Sequence, residues 1–100
     1  MKTGIELIAE ERQRQIEEEN WTAEHDSQFV CGELTDAAIM YAMRGYWKDR
    51  LPIEYVGTKE TPGFIWPFSP KWWKPSENRI RDLQKAGALI AAEIDRLLNS

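Results

Sequence analysis

Apolar residues recur at spacings of three and four, and this pattern divides the chain into three long helices. The stripe of the first helix, which Thr3 can cap, consists of Ile5, Ile8, Ala9 and Ile16. The third helix has the clearest repeat, which consists of Ile80, Leu83, Gly87, Ile90, Ile94 and Leu97. We predict helices at about residues 4–19, 31–45 and 76–98, with Ser76 at the start of the third and Gly45 as a stop signal for the second.

The second of these helices is apolar on nearly every face, which is typical of a helix in the middle of a bundle or in a subunit interface. Its first turn, however, carries Glu33 and Asp36. A helix turns about 100° per residue, so these two carboxylates point within roughly 60° of each other. They can therefore hold one cation or one hydrogen-bonded group between them.

Residues 46–75 form an insertion between the second and third helices that contains all five prolines and four of the five tryptophans. Residues 53–56 and 64–66 flank a glycine-bounded segment and can form a short β-hairpin. The aromatic part, residues 66–75, has two interpretations. Its rings can stack a base, or they can attach the insertion to the helical bundle.

Three further groups of polar residues have both a structural and a functional interpretation. Arg12 and Gln15 fall on the apolar stripe of the first helix, either at its rim or as a polar row where helices cross. His25 beside Asp26 favours a capped turn over an oriented base. Asp82 and Lys85 share one flank of the third helix, where a solvated ion pair is the ordinary interpretation.

Composition limits the partners that this protein can have. A net charge of −4 and a pI of about 5.0, without a basic stripe, argue against duplex nucleic acid. One cysteine and one histidine exclude a thiolate–imidazole zinc cluster. No apolar run approaches membrane-spanning length, so we expect a cytoplasmic protein with no membrane partner. One hundred residues form a single domain with a modest core, which we expect a homodimer to complete.

Four segments of the chain together resemble small uncharacterised proteins that are common in bacteriophages and prophages. They are EERQRQI at residues 10–16, WTAEHD at 21–26, GELTDAA at 32–38 and RDLQKAGALI at 81–90. More distantly, the arrangement is similar to the MazG-like all-α nucleoside triphosphate pyrophosphohydrolases. These enzymes cleave nucleotides between the α- and β-phosphates with magnesium held by two acidic helix motifs. If the protein is encoded by a phage, the host cytoplasm is its expected location.

The resemblance implies a set of site residues. Glu33, Asp36 and Asp82 would hold Mg²⁺, and Glu11 would orient the attacking water, which makes Glu11 and Glu33 the catalytic carboxylates. The residues implied to bind the nucleotide are Arg12, Gln15, Lys85, Trp72 and Trp73. Lys85 stands where the family has a second acid, so this half of the motif departs from the pattern.

Two alternatives remain open at this point. The departure at Lys85 suits a non-catalytic protein that binds and sequesters a nucleotide on the same helical frame. The heptad-like spacing in the third helix suits a dimeric helical subunit that acts through protein interactions.

Overall fold

The computed structural model describes residues 1–100 and is entirely helical, which confirms the predicted all-α class. Its elements are α1 (Gly4–Glu19), α2 (Ala23–Asp26), α3 (Glu33–Trp47), α4 (Ile53–Val56), a 3₁₀ turn (Pro70–Trp72) and α5 (Arg79–Leu98). None of these helices is both long enough and apolar enough to cross a membrane.

The first helix has the predicted bounds because both of its ends are fixed by local chemistry. Thr3 and Glu6 form a capping box, in which each side chain accepts a hydrogen bond from the other residue's backbone N–H. At the other end Asn20 adopts a left-handed conformation with φ 58°, and its N–H donates to the Gln15 carbonyl.

The other two long helices begin two or three residues later than predicted. Gly32, with φ 83°, is the residue before α3, and a left-handed conformation there favours glycine. Asn78 caps α5 by accepting from the Ile80 N–H at 2.9 Å, so Ser76 precedes the helix. Gly45 was wrongly predicted as a stop. It continues α3 to Trp47, and the Arg79 side chain lies close against it.

Helices α3 and α5 make the most extensive contact and run antiparallel. Gly45, near the end of α3, contacts Arg79 at the start of α5. Glu33, at the start of α3, interacts electrostatically with Arg96 near the end of α5. The core is formed by Leu34, Ala37, Ala38, Met40, Tyr41, Trp73, Ala86, Leu89 and Ala92.

Helix α1 packs against α5, and its contacts reach both ends of that helix. Neighbouring residues Glu11 and Arg12 reach Arg81 and Asp95, which stand near opposite ends of α5. The crossing point is Gly87, where a Cβ would lie 2.5 Å from the Ile8 side chain. A larger residue at position 87 would force the Ile8 side chain to move, so glycine favours this close approach.

The predicted β-hairpin in the insertion is wrong. Pro52 starts a helical turn, with its carbonyl accepting from the Tyr55 N–H at 2.9 Å, so residues 53–56 are α4. The insertion is attached to the bundle by Trp73, which is 4% exposed. The Trp73 ring stacks on Tyr41 with centroids 5.0 Å apart, and its indole N–H donates to the Thr58 carbonyl at 2.8 Å.

The apolar stripes of α1 and α5 are not buried as their periodicity suggested. Ile5 is 82% exposed, Ala9 is also exposed, and the large residues of the α5 stripe are among the exposed hydrophobic residues. The surfaces that α5 buries against α3 are instead made largely of alanine and leucine, offset around the helix from that stripe.

Candidate ligand-binding pocket

A cavity of about 530 Å³ lies where α1, α3 and α5 meet the aromatic end of the insertion. The aromatic part of its lining, here called the aromatic wall, consists of Trp21, Phe29, Tyr41, Trp66, Phe68 and Trp72. The polar and charged part, here called the charged wall, consists of Glu11, Arg14, Gln15, Glu19, His25, Asp26, Lys74, Arg81 and Lys85. This volume falls within the range of pockets that take small organic ligands.

The rings of the aromatic wall hold one another edge to face. Trp66 contacts Tyr41 at 5.6 Å and Phe68 at 5.7 Å between centroids, and Phe68 contacts Phe29 at 5.1 Å. Trp72 is different because it is 44% exposed and makes no such ring contact. Its faces are instead approached by the ammonium groups of two flanking lysines, so it is the accessible ring at the edge of the pocket.

The charged wall is organised around the buried carboxylate of Glu11. Arg14 binds both of its oxygens at 2.9 Å, and Arg81 reaches Oε1 at 2.7 Å from the other helix. Burial alone would raise the pKa of Glu11, but the hydrogen bonds from Arg14 and Arg81 outweigh it and hold that pKa below its ordinary value. Glu11 therefore remains ionised and fixes two guanidinium groups at the pocket edge.

Lys85 supplies a third cation on this wall, and no carboxylate is bonded to it. Its ammonium donates to the Lys74 carbonyl and lies 5.5 Å from the centre of the Tyr41 ring. Burial lowers the pKa of Lys85, and repulsion from Arg81 lowers it further. Burial also raises the pKa of Tyr41 to about 12, so its hydroxyl stays protonated beside Lys85.

Asp26 lines the cavity, and Arg12 contacts Asp26 from outside the lining. The Asp26 carboxylate is 1% exposed, with His25 Nδ1 at 3.0 Å and Arg12 Nη2 at 3.6 Å. Arg12 also donates to the Trp21 carbonyl at 2.9 Å and does not line the cavity. The helix-crossing interpretation of Arg12 therefore agrees with the fold. His25 and Asp26 lie inside α2, which Thr22 caps, and both line the cavity, so the functional interpretation of this pair stays a prediction.

The three predicted metal ligands are not brought together. Because α3 and α5 are antiparallel, Glu33 lies near Arg96, whereas Asp82 is fourteen residues earlier on α5, about 21 Å along the helix axis. Asp36 is one turn into α3 and remains far from Asp82. No group of three His, Cys, Asp or Glu side chains is placed to hold a metal ion. These residues do not fit the Mg²⁺ site that the resemblance implies.

Asp82 has a structural environment instead. It is 1% exposed, which contradicts the predicted solvated face, and its Oδ1 accepts the Ser76 N–H at 2.7 Å. Burial raises the pKa of Asp82 even though Lys85 and Arg44 lie nearby. Glu33, for its part, accepts the Cys31 N–H at 2.7 Å just before α3 begins. Both carboxylates thus fix chain segments that lead into helices.

The structure places four of the predicted site residues in the cavity wall: Glu11, Gln15, Lys85 and Trp72. It places the other five outside: Arg12, Trp73, Glu33, Asp36 and Asp82. Sequence reasoning missed Arg14, Arg81 and Lys74. The i,i+3 spacing of Glu11 and Arg14 was the only signal for the first, and Arg81 joins that pair only through tertiary contact.

Comparison with known proteins finds no protein-family model, no curated protein and no solved structure that matches this chain. The resemblance to phage proteins and to MazG-like enzymes therefore stays a prediction from sequence.

Proposed function

We propose that the protein binds a nucleotide in the pocket without the aid of a metal ion, as a non-catalytic nucleotide-binding protein. The observation that supports this most directly is the presence of aromatic and cationic side chains together in the lining of one cavity of about 530 Å³. A nucleotide has the matching asymmetry, with a flat π-system at one end and phosphate charge at the other.

The phosphate would bind at the charged wall. Arg81 is about one-third exposed, and its guanidinium has N–H groups beyond the one that Glu11 accepts. Arg14 is exposed to a similar extent, but its Nη1 already donates to Glu18 and Glu19, so Arg81 is the arginine better placed to bind phosphate. Guanidinium groups that are already oriented lose little conformational freedom when they bind a phosphate. Lys85 adds a positive charge that is bonded to no carboxylate. Four cations line the cavity (Arg14, Lys74, Arg81 and Lys85) against three carboxylates (Glu11, Glu19 and Asp26), so one net positive charge remains to attract an anion.

The base would bind at the aromatic wall. Trp72 is the ring best placed for stacking because it is at the pocket edge, and Trp66 and Tyr41 form the wall behind. Stacking of a base on an aromatic side chain contributes about 1–3 kcal/mol and is tolerant of base identity. We therefore expect affinity for several nucleotides rather than strict base selection.

Pyrophosphohydrolysis with Mg²⁺ is the second candidate, and it rests on the resemblance alone. Catalysis of that type needs several carboxylates around the metal. Glu33, Asp36 and Asp82 lie at opposite ends of the α3–α5 pair, which favours binding over hydrolysis.

The test is a thermal-shift and calorimetric screen with purine and pyrimidine nucleotides, run once with EDTA and once with Mg²⁺. We expect stabilisation that is independent of EDTA and is lost in Lys85→Met. Lys59→Met, at an exposed lysine outside the pocket, is the matched control and should behave as wild type. If no nucleotide shifts the unfolding temperature in either condition, the proposal is wrong. Pyrophosphate release that Glu33→Gln abolishes would establish the second candidate instead.

We also infer that the protein is a homodimer. A chain of 100 residues has a small core, and sixteen large hydrophobic residues remain exposed in the single copy. Association of two copies would remove part of that apolar surface from water. Light scattering tests this: the dimer should have twice the 11.7 kDa chain mass, and a single-chain mass would contradict the inference.

A further inference from the structure

His25 lines the cavity beside a buried carboxylate, and neither the phosphate site nor the base-stacking rings make use of it. Its Nδ1 lies 3.0 Å from Oδ1 of Asp26, which is 1% exposed, whereas the His25 side chain is 39% exposed. A carboxylate only accepts hydrogen bonds, so Nδ1 is the donor and carries the ring proton. Nε2, on the other side of the ring, therefore keeps a free lone pair and is an acceptor that a ligand can reach.

Two further acceptors without a donor belong to residues that line the same cavity. Gln15 is 2% exposed, and its amide nitrogen donates to Glu11 Oε2 at 3.3 Å, which leaves its buried Oε1 without a hydrogen-bond partner. Asp26 Oδ2 is also buried and unpaired, because Arg12 Nη2 approaches it only to 3.6 Å. Buried polar atoms are nearly always hydrogen-bonded, and unpaired oxygens in a medium of low dielectric constant create a strongly negative local potential. This part of the lining therefore favours a ligand group that carries N–H donors.

His25 borders the aromatic wall. Its ring meets Phe29 edge to face with centroids 5.5 Å apart, and the contacts continue from Phe29 to Phe68 at 5.1 Å and from Phe68 to Trp66 at 5.7 Å. A base that stacks on an aromatic side chain uses its flat face, so the N–H and C=O groups of its edge remain free for hydrogen bonds. An acceptor at the border of the wall is therefore placed to contact that edge.

We propose that His25 selects the base, so that the pocket prefers nucleotides whose base carries an exocyclic amino group. This inference rests on the proposed nucleotide binding and names the ligand class of that site. Cytosine, adenine and guanine carry such a group, whereas uracil and thymine present a carbonyl oxygen where cytosine has its amino group. An amino N–H would donate to Nε2 in the field of the two unpaired oxygens, and a carbonyl oxygen would be repelled there. Stacking still admits every base, so the amino group grades the affinity of nucleotides that all bind.

The experiment compares, by calorimetry in EDTA, pairs of ribonucleotides that differ at the amino group. CTP should bind about tenfold more tightly than UTP, and GTP should bind more tightly than ITP, which lacks only the amino group of guanine. His25→Phe keeps a ring against Phe29 but removes Nε2, so the ratio of CTP affinity to UTP affinity should fall towards one. Glu24→Gln, on the same helical turn but outside the cavity lining, is the matched control and should keep the wild-type ratio.

The protonation of the ring is tested without any ligand. His25 is the only histidine of the chain, so NMR of the ring nitrogens needs no assignment, and it should show the proton on Nδ1 and none on Nε2. The Nε2 resonance should then shift more on addition of CTP than of UTP.

The outcomes separate this inference from the function on which it rests. Equal affinities for CTP and UTP in wild type, or a ring proton on Nε2, would overturn the base selection and leave nucleotide binding intact. A wild-type ratio in a folded His25→Phe would overturn the role of His25. Binding of no nucleotide at all would overturn both proposals. If circular dichroism shows that His25→Phe does not fold, the ligand pairs and the ring proton of wild type decide.

Discussion

Arg81 Nη1 on α5 lies 2.7 Å from Glu11 Oε1 on α1, and Arg14 holds the same carboxylate from its own helix. Glu11 is 3% exposed, so this ion pair joins two helices through a nearly buried charge. The same contact aims both guanidinium groups at the pocket. Stability and ligand binding therefore depend on the same carboxylate.

Glu11→Gln should lower the free energy of unfolding at pH 7 by about 1–3 kcal/mol, because two guanidinium groups lose their charged acceptor. The pKa of Glu11 is held below its ordinary value of 4.5 in the folded protein. Its contribution is therefore complete above pH 4.5 and is lost as pH falls through the lower, folded-state pKa. Urea unfolding at pH 7 and at pH 3 measures this, with the exposed Glu17→Gln as the control. Equal destabilisation of Glu11→Gln at both pH values would contradict the prediction.

The same variant distinguishes binding from hydrolysis. In the binding protein Glu11 orients Arg14 and Arg81 but takes part in no reaction, so Glu11→Gln should still bind nucleotide through Lys85 and the aromatic rings. If Glu11 orients a catalytic water, its removal should abolish turnover. Calorimetry and a pyrophosphate assay on one preparation of the variant report both quantities.

As pH is raised, nucleotide affinity should begin to fall at a lower pH than it would if Lys85 had the pKa of an ordinary lysine. Burial lowers the pKa of Lys85 below its ordinary value of 10.5, and the ammonium is the form that attracts phosphate. Binding should be strong below that lowered pKa and should weaken as pH rises through it. Affinity measured from pH 7 to 10 in wild type and Lys85→Arg checks this. The arginine variant should retain its affinity to higher pH, and identical profiles would exclude Lys85 as the titrating group.

Trp72 and Trp73 are adjacent in sequence, but alanine substitution should affect stability at Trp73 and nucleotide affinity at Trp72. Trp73 is 4% exposed, stacks on Tyr41 and bonds Thr58, so Trp73→Ala should cost about 3–5 kcal/mol of folding free energy. Trp72 is 44% exposed, so Trp72→Ala should leave stability nearly unchanged and weaken nucleotide binding about tenfold. Chemical denaturation and calorimetry on both variants separate the two effects. Intact nucleotide affinity in Trp72→Ala would remove this ring from the proposed base site.

Asp82→Asn should be at least as stable as wild type at pH 7. Because burial raises the folded-state pKa of Asp82 above the ordinary 3.8, ionisation is harder in the folded protein. Wild type therefore loses stability as pH rises from 3.8 through the raised pKa, and the neutral amide avoids that loss while its oxygen still accepts the Ser76 N–H. Asp82→Ala leaves that N–H without an acceptor and should cost about 1–3 kcal/mol. An Asn variant as unstable as the Ala variant would contradict this account.

The positions of the long helices could be predicted from sequence because periodicity and caps are local. The bounds of α1 follow from the Thr3–Glu6 capping box and were predicted to the residue. The starts of α3 and α5 were displaced because Gly32 and Asn78 take the capping positions there, and α4 was missed because a single turn after Pro52 has no period to detect.

The site could be predicted only in part, because the relative directions of the helices determine which side chains meet in it. Glu33, Asp36 and Asp82 all lie near helix N-termini, and the first turns of two neighbouring helices meet only when those helices are parallel. The antiparallel contact of α3 and α5 separates them. Conversely, the packing of α1 on α5 around Gly87 brings Arg81 to the carboxylate that Arg14 already holds, and the spacing of Glu11 and Arg81 along the chain does not predict this contact.

The anchoring of Trp73 between Tyr41 and the Thr58 carbonyl has a kinetic consequence. This anchor holds the neighbouring part of the insertion against α3, so the aromatic wall is already formed in the absence of a ligand. Binding of a ligand then needs no conformational change of the protein and costs little conformational entropy. Binding should therefore proceed in a single fast kinetic phase, with an observed rate constant that rises linearly with nucleotide concentration. A slow closing step of the protein would instead make that rate constant reach a plateau.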